Sequence, residues 1–278
     1  MSELKDIISN ISDQEILYEW ETKFDHQLFI TFSYKKDYFK YELDINDLFL
    51  KKYNNDNLIY DKTWAGGILD NDNSAELPPS NLKEKYPKYN IINGDPDGYN
   101  ISDYMKFIID HYDNLPEVTV FLKGNTIGRH LSKEYFDKVI NNQYFTSLED
   151  WREHDPNQPS LQNGYALFSC EGGWLETNDS WYLNHPKHAT KYFRNYNDFL
   201  SFCYKDPIYP KFVRFPPGGN FIVPKNYILK YDKVFYENLR TFTRHTRVSG
   251  EGQMIERALY TIWMCNFEVA DTMKVLVE

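Results

Sequence analysis

From residue 27 to about residue 150, short apolar runs alternate with segments whose apolar residues recur at helical spacing. This alternation restricts the fold more than any other feature of the chain. A strand followed by a helix and then another strand returns most simply in the same direction, beside the first. "QLFITFSY" (27–34) reads as a strand, and "YELDINDLFLKKY" (41–53) follows as a helix with Leu43, Ile45, Leu48 and Leu50 clustered. "NLIYDK" (57–62) and "KYNIING" (88–94) read as the second and third strands. "NISDYMKFIIDHYDNL" (100–115) places Tyr104, Phe107, Ile108, Tyr112 and Leu115 at helical spacing, with Ser102 or Asn100 as its N-cap. Pro116 closes that helix, and "VTVFLKG" (118–124) begins the fourth strand at once. "SKEYFDKVINNQYF" (132–145) is a further helix capped by Ser132.

The pattern implies an α/β fold of Rossmann type, with a mostly parallel central sheet flanked by helices. Ligands in such folds bind beyond the carboxyl ends of the strands. Lys123–His130 and Asp61–Lys62 therefore fall on the ligand edge by topology, before any motif is considered. Residues 64–87, rich in Gly, Asn, Asp and Pro, read as a long surface loop of the kind used as a lid or binding segment. Residues 151–194 contain the short strands "YALFS" and "GGWLETND", expected to form a small antiparallel addition. Beyond them, "NYNDFLSFCYKD" reads as a short helix, "FVRFPPGGNFIVP" as one irregular strand, and "PKNYILKYDKVFYENLRTF" and "EGQMIERALYTIWMC" as helices. With no internal repeat and no clean linker, residues 27–278 are expected to form one domain, preceded by a helical extension over 1–26.

The formal net charge of −10 argues against a general nucleic-acid binder, which needs a basic face to displace counterions. A local anion pocket remains compatible with it. Cys170, Cys203 and Cys265 lie far apart, which suits neither a zinc ribbon nor a disulfide framework. The polar N-terminus does not read as a signal peptide, and no run approaches the ~20 apolar residues of a membrane span. The expected compartment is the cytoplasm. Aromatic residues make up 17% of the chain, which suits carbohydrate or nucleotide sites but is better explained by a coding bias toward Tyr, Asn, Lys, Ile and Phe.

Chemistry concentrates after the fourth strand. Lys123, Arg129 and His130, with the backbone N–H groups around Gly124 and Gly128, would make a diphosphate cradle, set against the alternative of solvated turn residues. "GDPDGYN" (94–100) resembles the Asp-x-Asp that holds a divalent ion, but Asp95 and Asp97 follow the third strand rather than the fourth, and an ordinary turn explains them better. Glu251 and Glu256 lie near the start of the last helix, where a carboxylate serves either as a general base or as a partner of the helix dipole. Arg257 would pair with one of these acids or reach the diphosphate. His185 and His188 lack the spacing of a known metal motif and read as surface histidines.

Three long blocks occur in order: "GYNISDYMKFIIDHYDNLPEVTVFLKGNTIGRH", "FPPGGNFIVPKNYILKYDKVFYENL" and "EGQMIERALYTIW". Over residues 89–265 they resemble an uncharacterised family of glycosyltransferase-like proteins of bacteria, fungi and large DNA viruses, assigned to the GT-A nucleotide-sugar fold. The resemblance implies sugar transfer from a nucleotide-diphosphate donor to a glycan or polysaccharide acceptor. It implies a nucleotide-sugar half over about 27–150 and an acceptor half over about 151–278. Asp61, Gly98, Tyr99, Asn100, Lys123, Gly124, Asn125, Arg129, His130 and Arg257 would face the donor, and Gly219 and Asn220 the acceptor. Glu251 or Glu256 would be the base, with Glu251 preferred because Glu256 faces helix packing. In that fold the fourth strand normally ends at a metal-binding Asp-x-Asp, and here Lys123-Gly124-Asn125 stands instead. The departure implies either donor binding without Mn or Mg, a metal ligand supplied by another acid, or a fold kept without activity as a glycan-binding protein. A two-carboxylate glycoside hydrolase is a further rival, and it has no need of the cationic cluster.

Overall fold

The computed structural model describes residues 90–124, 126–149, 173–180, 182–186 and 188–277, the strand segments 26–32, 58–61 and 167–170, and positions 84 and 87. In the three strand segments and at 128–129 it describes the backbone. The expected helices over 1–26 and 41–53, most of the 64–87 loop, and Asn125 lie outside the described residues.

The fold is α/β. Strands β1 (His26–Phe32), β2 (Leu58–Asp61), β3 (Asn90–Asn93), β4 (Val118–Lys123) and β5 (Thr146–Ser147) belong to a six-stranded sheet, and β6 (Leu167–Cys170), β7 (Gly173–Thr177) and β8 (Phe212–Phe215) to a second, antiparallel one. The larger sheet is completed by β9 (Phe221–Pro224), in the order β3-β2-β1-β4-β9-β5. The first four of these run parallel, and β9 runs against both neighbours, so the sheet is mixed. Registers Phe32↔Asp61, Asp61↔Asn93 and Thr31↔Lys123 bring the ends of the parallel strands to one edge. Because β9 is antiparallel, the residues just before Phe221 return to that same edge.

Period-two alternation assigns the two faces. Val118, Val120 and Leu122 of β4 join Ile222 of β9 in one core with Leu131, Phe136 and Ile140. Phe121 and Phe221 point the other way, into the larger core beneath the helices. That core takes α1 (Tyr99–His111), whose Tyr104 and Phe107 rings lie 5.0 and 5.9 Å from Phe121. The opposite face is covered by α3 (Lys133–Val139), reached from β4 through the short α2 (Thr126–Arg129). Ser132 caps α3 as its sequence indicates, accepting from the Tyr135 N–H at 3.1 Å.

Farther along come α4 (Tyr196–Cys203), α5 (Lys225–Ile228), α6 (Lys233–Thr243) and α7 (Gly250–Met264). Three expectations need correction. "FVRFPPGGNFIVP" is two strands in different sheets, because Pro216 and Pro217 offer no N–H to a ladder and Gly218 and Gly219, at φ 89° and 68°, turn the chain away. The segment after Pro224 is two helices, α5 and α6, separated at Leu229–Asp232. The N-cap of α1 is Gly98 at φ 83°; Asn100 and Ser102 lie inside the helix and bond elsewhere. Among the described residues no helix is long and apolar enough to cross a membrane.

Burial distinguishes the two described thiols. Cys203 is buried in the larger core, which pushes its pKa well above the ordinary thiol value, while Cys265 is partly exposed. Iodoacetamide is expected to modify Cys265 well before Cys203 in the native protein, as read by peptide mass spectrometry. Equal rates at both would contradict the packing around α4.

Candidate functional site

The site forms where β4 ends. Lys123 shares its backbone N–H between Asn220 Oδ1 at 3.0 Å and Thr126 Oγ1 at 3.1 Å. The Thr126 hydroxyl lies 2.7 Å from Asn220 Oδ1 and 2.8 Å from the Lys123 carbonyl. Asn220 Nδ2 donates to the Pro217 carbonyl at 3.0 Å. The end of β4 and the start of β9 are thus locked by one fully buried amide. Lys123 itself is only 8% exposed, and its ammonium stands 4.8 Å from the centre of the Tyr99 ring.

The Pro216–Asn220 turn forms one wall of the site. The Gly219 N–H closes the turn onto the Pro216 carbonyl at 2.9 Å. Asn100 Nδ2 donates to the Gly218 carbonyl at 2.9 Å, and the Gly218 N–H donates to Glu256 Oε1 at 2.7 Å. A Cβ on Gly218 would stand 2.7 Å from Lys123 Cδ and 3.6 Å from His130 Nε2, so glycine is what lets the lysine stem pass beside the turn. His130 is held through Nδ1, 3.3 Å from Glu149 Oε2, while Glu149 Oε1 accepts from the Trp174 indole N–H at 3.1 Å. A cation, an imidazole and a carboxylate-anchored turn therefore meet at the edge of the parallel strands.

The other sequence-selected residues divide between this edge and the framework. Asp61 ends β2 opposite Phe32 and Asn93, at the same edge. Gly98 and Tyr99 open α1 in left-handed conformations, their N–H groups donating to the Thr246 and Arg247 carbonyls at 3.0 and 3.1 Å. Gly124 is buried in the turn after β4, and Arg129 closes α2, its side chain outside the described set. The amide of Asn220 and the N–H of Gly219 are engaged within the protein, so they shape the wall rather than present hydrogen bonds to a sugar.

Glu251 is completely buried. Its Oε1 accepts from the N–H groups of Lys191 and Tyr192, both at 2.7 Å, and of Phe193 at 3.4 Å; its Oε2 lies 2.7 Å from His245 Nε2. One oxygen thus anchors the 191–193 turn to the start of α7 and the other holds His245, an arrangement unsuited to a base on an acceptor hydroxyl. Arg257 is also framework: Nε donates to Glu176 Oε2 at 2.6 Å, and the guanidinium carbon lies 4.4 Å from the Phe215 ring centre and 4.8 Å from that of Tyr182. Burial opposes its charge, but Glu176 and Glu256 outweigh burial and hold its pKa above the ordinary value. Asp95 receives Arg240 and Arg244 and accepts from the Ser102 hydroxyl at 3.3 Å, so "GDPDGYN" is a turn tying α1 to α6.

A divalent cation is not matched by the described residues at this edge. Lys123 ends β4, Asp95 is held by two arginines, and no three His, Cys, Asp or Glu side chains converge among the described residues. Glu149 and Glu176 escaped sequence reasoning because the partners that give them roles come from other elements, as with Arg257 at a separation of 81 residues. The only sequence hint of Glu149 was its place after an apolar-flanked "TSL", too short to read as a strand.

A model of a protein family described as of unknown function, DUF3431, matches residues 88–274, more than half of the chain and all of the site except Asp61. No curated protein and no solved structure matches it. The chain belongs to the DUF3431 family of proteins of unknown function.

Proposed function

We propose that this protein is a glycosyltransferase that moves a sugar from a nucleotide-diphosphate donor to a glycan acceptor, on a GT-A-type nucleotide-sugar fold. The observation that carries the reading is the juxtaposition of Lys123 and His130 beside the Gly218–Gly219 turn, at the carboxyl edge of four parallel strands. The strand order β3-β2-β1-β4, followed by an antiparallel neighbour, supports the nucleotide-sugar fold. In this reading the Lys123 ammonium neutralises the departing diphosphate and Tyr99 holds the lysine in place. Glu256, which accepts from the Gly218 N–H, replaces Glu251 as the candidate base because it borders this turn. Tight framework engagement of Glu251 and Arg257 favours one second reading, a glycan-binding protein that keeps the fold without turnover.

Thermal unfolding against UDP, GDP, CDP, ADP and dTDP, each with manganese or with EDTA, tests the donor class. A ligand at a hundredfold excess over its Kd stabilises the native state by about 2.7 kcal/mol. Stabilisation by one nucleotide in EDTA is expected, and Lys123→Met, which keeps the stem beside Gly218, should weaken it about ten- to a hundredfold by removing a charge-assisted contact. Stabilisation by none of the five removes the donor reading. Nucleotide binding without any donor hydrolysis selects the binding protein.

A further inference from the structure

Residues 118–133 and 207–231 of this acidic chain carry no carboxylate, and neither do residues 180–197 and 238–250. The latter two stretches hold Lys187, Lys191, Arg194, Arg240, Arg244 and Arg247 and three histidines, although 41 of the 278 residues are Asp or Glu. Sequence separation hides their relationship, and the fold packs them together. Buried Glu251 binds both, taking the Lys191 and Tyr192 N–H groups on one oxygen and His245 on the other. The Gly250 N–H donates to the Ala189 carbonyl at 2.8 Å, and a Cβ on Gly250 would stand 2.9 Å from both the His188 carbonyl oxygen and Pro186 Cβ. Glycine at the start of α7 is therefore what allows the two stretches to touch.

Lys191, Arg194, Arg244 and Arg247 are exposed. Asp198 pairs with Arg194, and Asp95 is shared between Arg240 and Arg244. Tyr192 adds an aromatic face, with Lys191 Nζ 4.9 Å and the His245 ring 6.2 Å from its centre. The patch also adjoins the candidate site. Thr246 and Arg247 accept the N–H groups of Gly98 and Tyr99, and the Tyr99 ring lies under the Lys123 ammonium.

We propose that this surface binds an acidic oligosaccharide, one whose sugars carry carboxylate, sulfate or phosphate groups, and that it presents this glycan as the acceptor. The acceptor role rests on the reading of the Lys123 site as the donor site; the binding role does not. Exposed cations beside an aromatic ring match an anionic sugar, whose ring has apolar faces and whose substituents are charged. A nucleic acid fits less well, because the overall charge of −10 repels a long polyanion.

The test is binding of the full chain to an oligogalacturonate, a heparin-derived oligosaccharide, a maltooligosaccharide and a single-stranded DNA of similar length. Both acidic sugars are expected to bind and the neutral one to fail, with affinity falling as salt shortens the Debye length below ~10 Å. Lys191→Glu with Arg247→Glu should weaken acidic-sugar binding at least about tenfold through like-charge repulsion. The melting transition and any nucleotide-induced shift should stay as in the parent. Equal binding of the neutral sugar, tighter binding of the DNA, or unchanged affinity in the double variant would overturn the proposal. Acidic-sugar binding by a chain that binds no nucleotide would leave this surface standing and remove the donor site. Nucleotide binding without acidic-sugar binding would do the opposite.

Discussion

Replacing Arg257 with methionine is expected to lower the unfolding free energy by about 3–5 kcal/mol, because it leaves a buried carboxylate without its cation. Glu176 is 0% exposed, and its other oxygen already accepts from the Ser180 hydroxyl at 2.5 Å. Arg257 in turn donates to Gln253 Oε1 at 3.0 Å and packs against Phe215 and Tyr182. Methionine keeps much of the apolar contact while removing every donor, so the loss reports the unpaired charge rather than a cavity. Adding Glu176→Leu should restore most of the stability, since an apolar pair in that space carries no desolvation penalty. Urea unfolding followed by circular dichroism measures both. A single-variant loss below about 1 kcal/mol would mean that the pair behaves as though exposed to solvent. The double variant also bears on the proposed function, because nucleotide affinity equal to that of the parent would exclude Arg257 from the proposed donor site.

Trp263→Ala carries an expected cost of about 3–5 kcal/mol, from lost burial and the cavity left behind. The indole stacks on Phe121 at 5.6 Å and 12° and meets Phe221 edge-on at 5.1 Å. Those two phenylalanines belong to β4 and β9, the strands whose ends present Lys123 and Asn220. If the proposed donor site is right, the variant should lose nucleotide binding beyond what its lower stability explains, because the end of β4 is no longer braced from below. Trp263→Phe keeps an aromatic contact with both rings and should cost less than the alanine change. Thermal unfolding of the pair, with nucleotide titration at a temperature where both are folded, separates the two effects. Equal stability of Trp263→Ala and the parent would contradict the packing of α7 on the sheet.

Much of the scaffold was legible in local pattern. Helices α1, α3, α4 and α7 announce themselves by apolar spacing, and β4 by an apolar run ended at Lys123. Local pattern failed where two elements shared one apolar composition. Strands β8 and β9 read as one because the PPGGN turn between them is short and flanked by Phe on both sides. At the α1 cap Ser and Asn are good caps in general, whereas here Gly98 fits: a Cβ would stand 2.6 Å from Ser102 Cβ. At the site, Lys123 and His130 could be chosen from the rule that ligands bind beyond strand ends. Glu251 could not be told from a base, because its partners on 191–193 lie about sixty residues away in the chain.

The sequence by itself determined the longer helices and the parallel strands, with Lys123 and His130 at their end, because helical and strand periodicity are local. Only the tertiary structure decided which charged groups remain available. Glu251, Arg257, Asn220 and Asp95 are all polar enough to serve a ligand, yet each is engaged by framework atoms from another element. Burying a polar group requires a partner, and which group supplies it depends on packing between segments far apart in the chain. For the same reason a basic surface emerged from two stretches that are unremarkable apart: Glu251 and Gly250 bring them together.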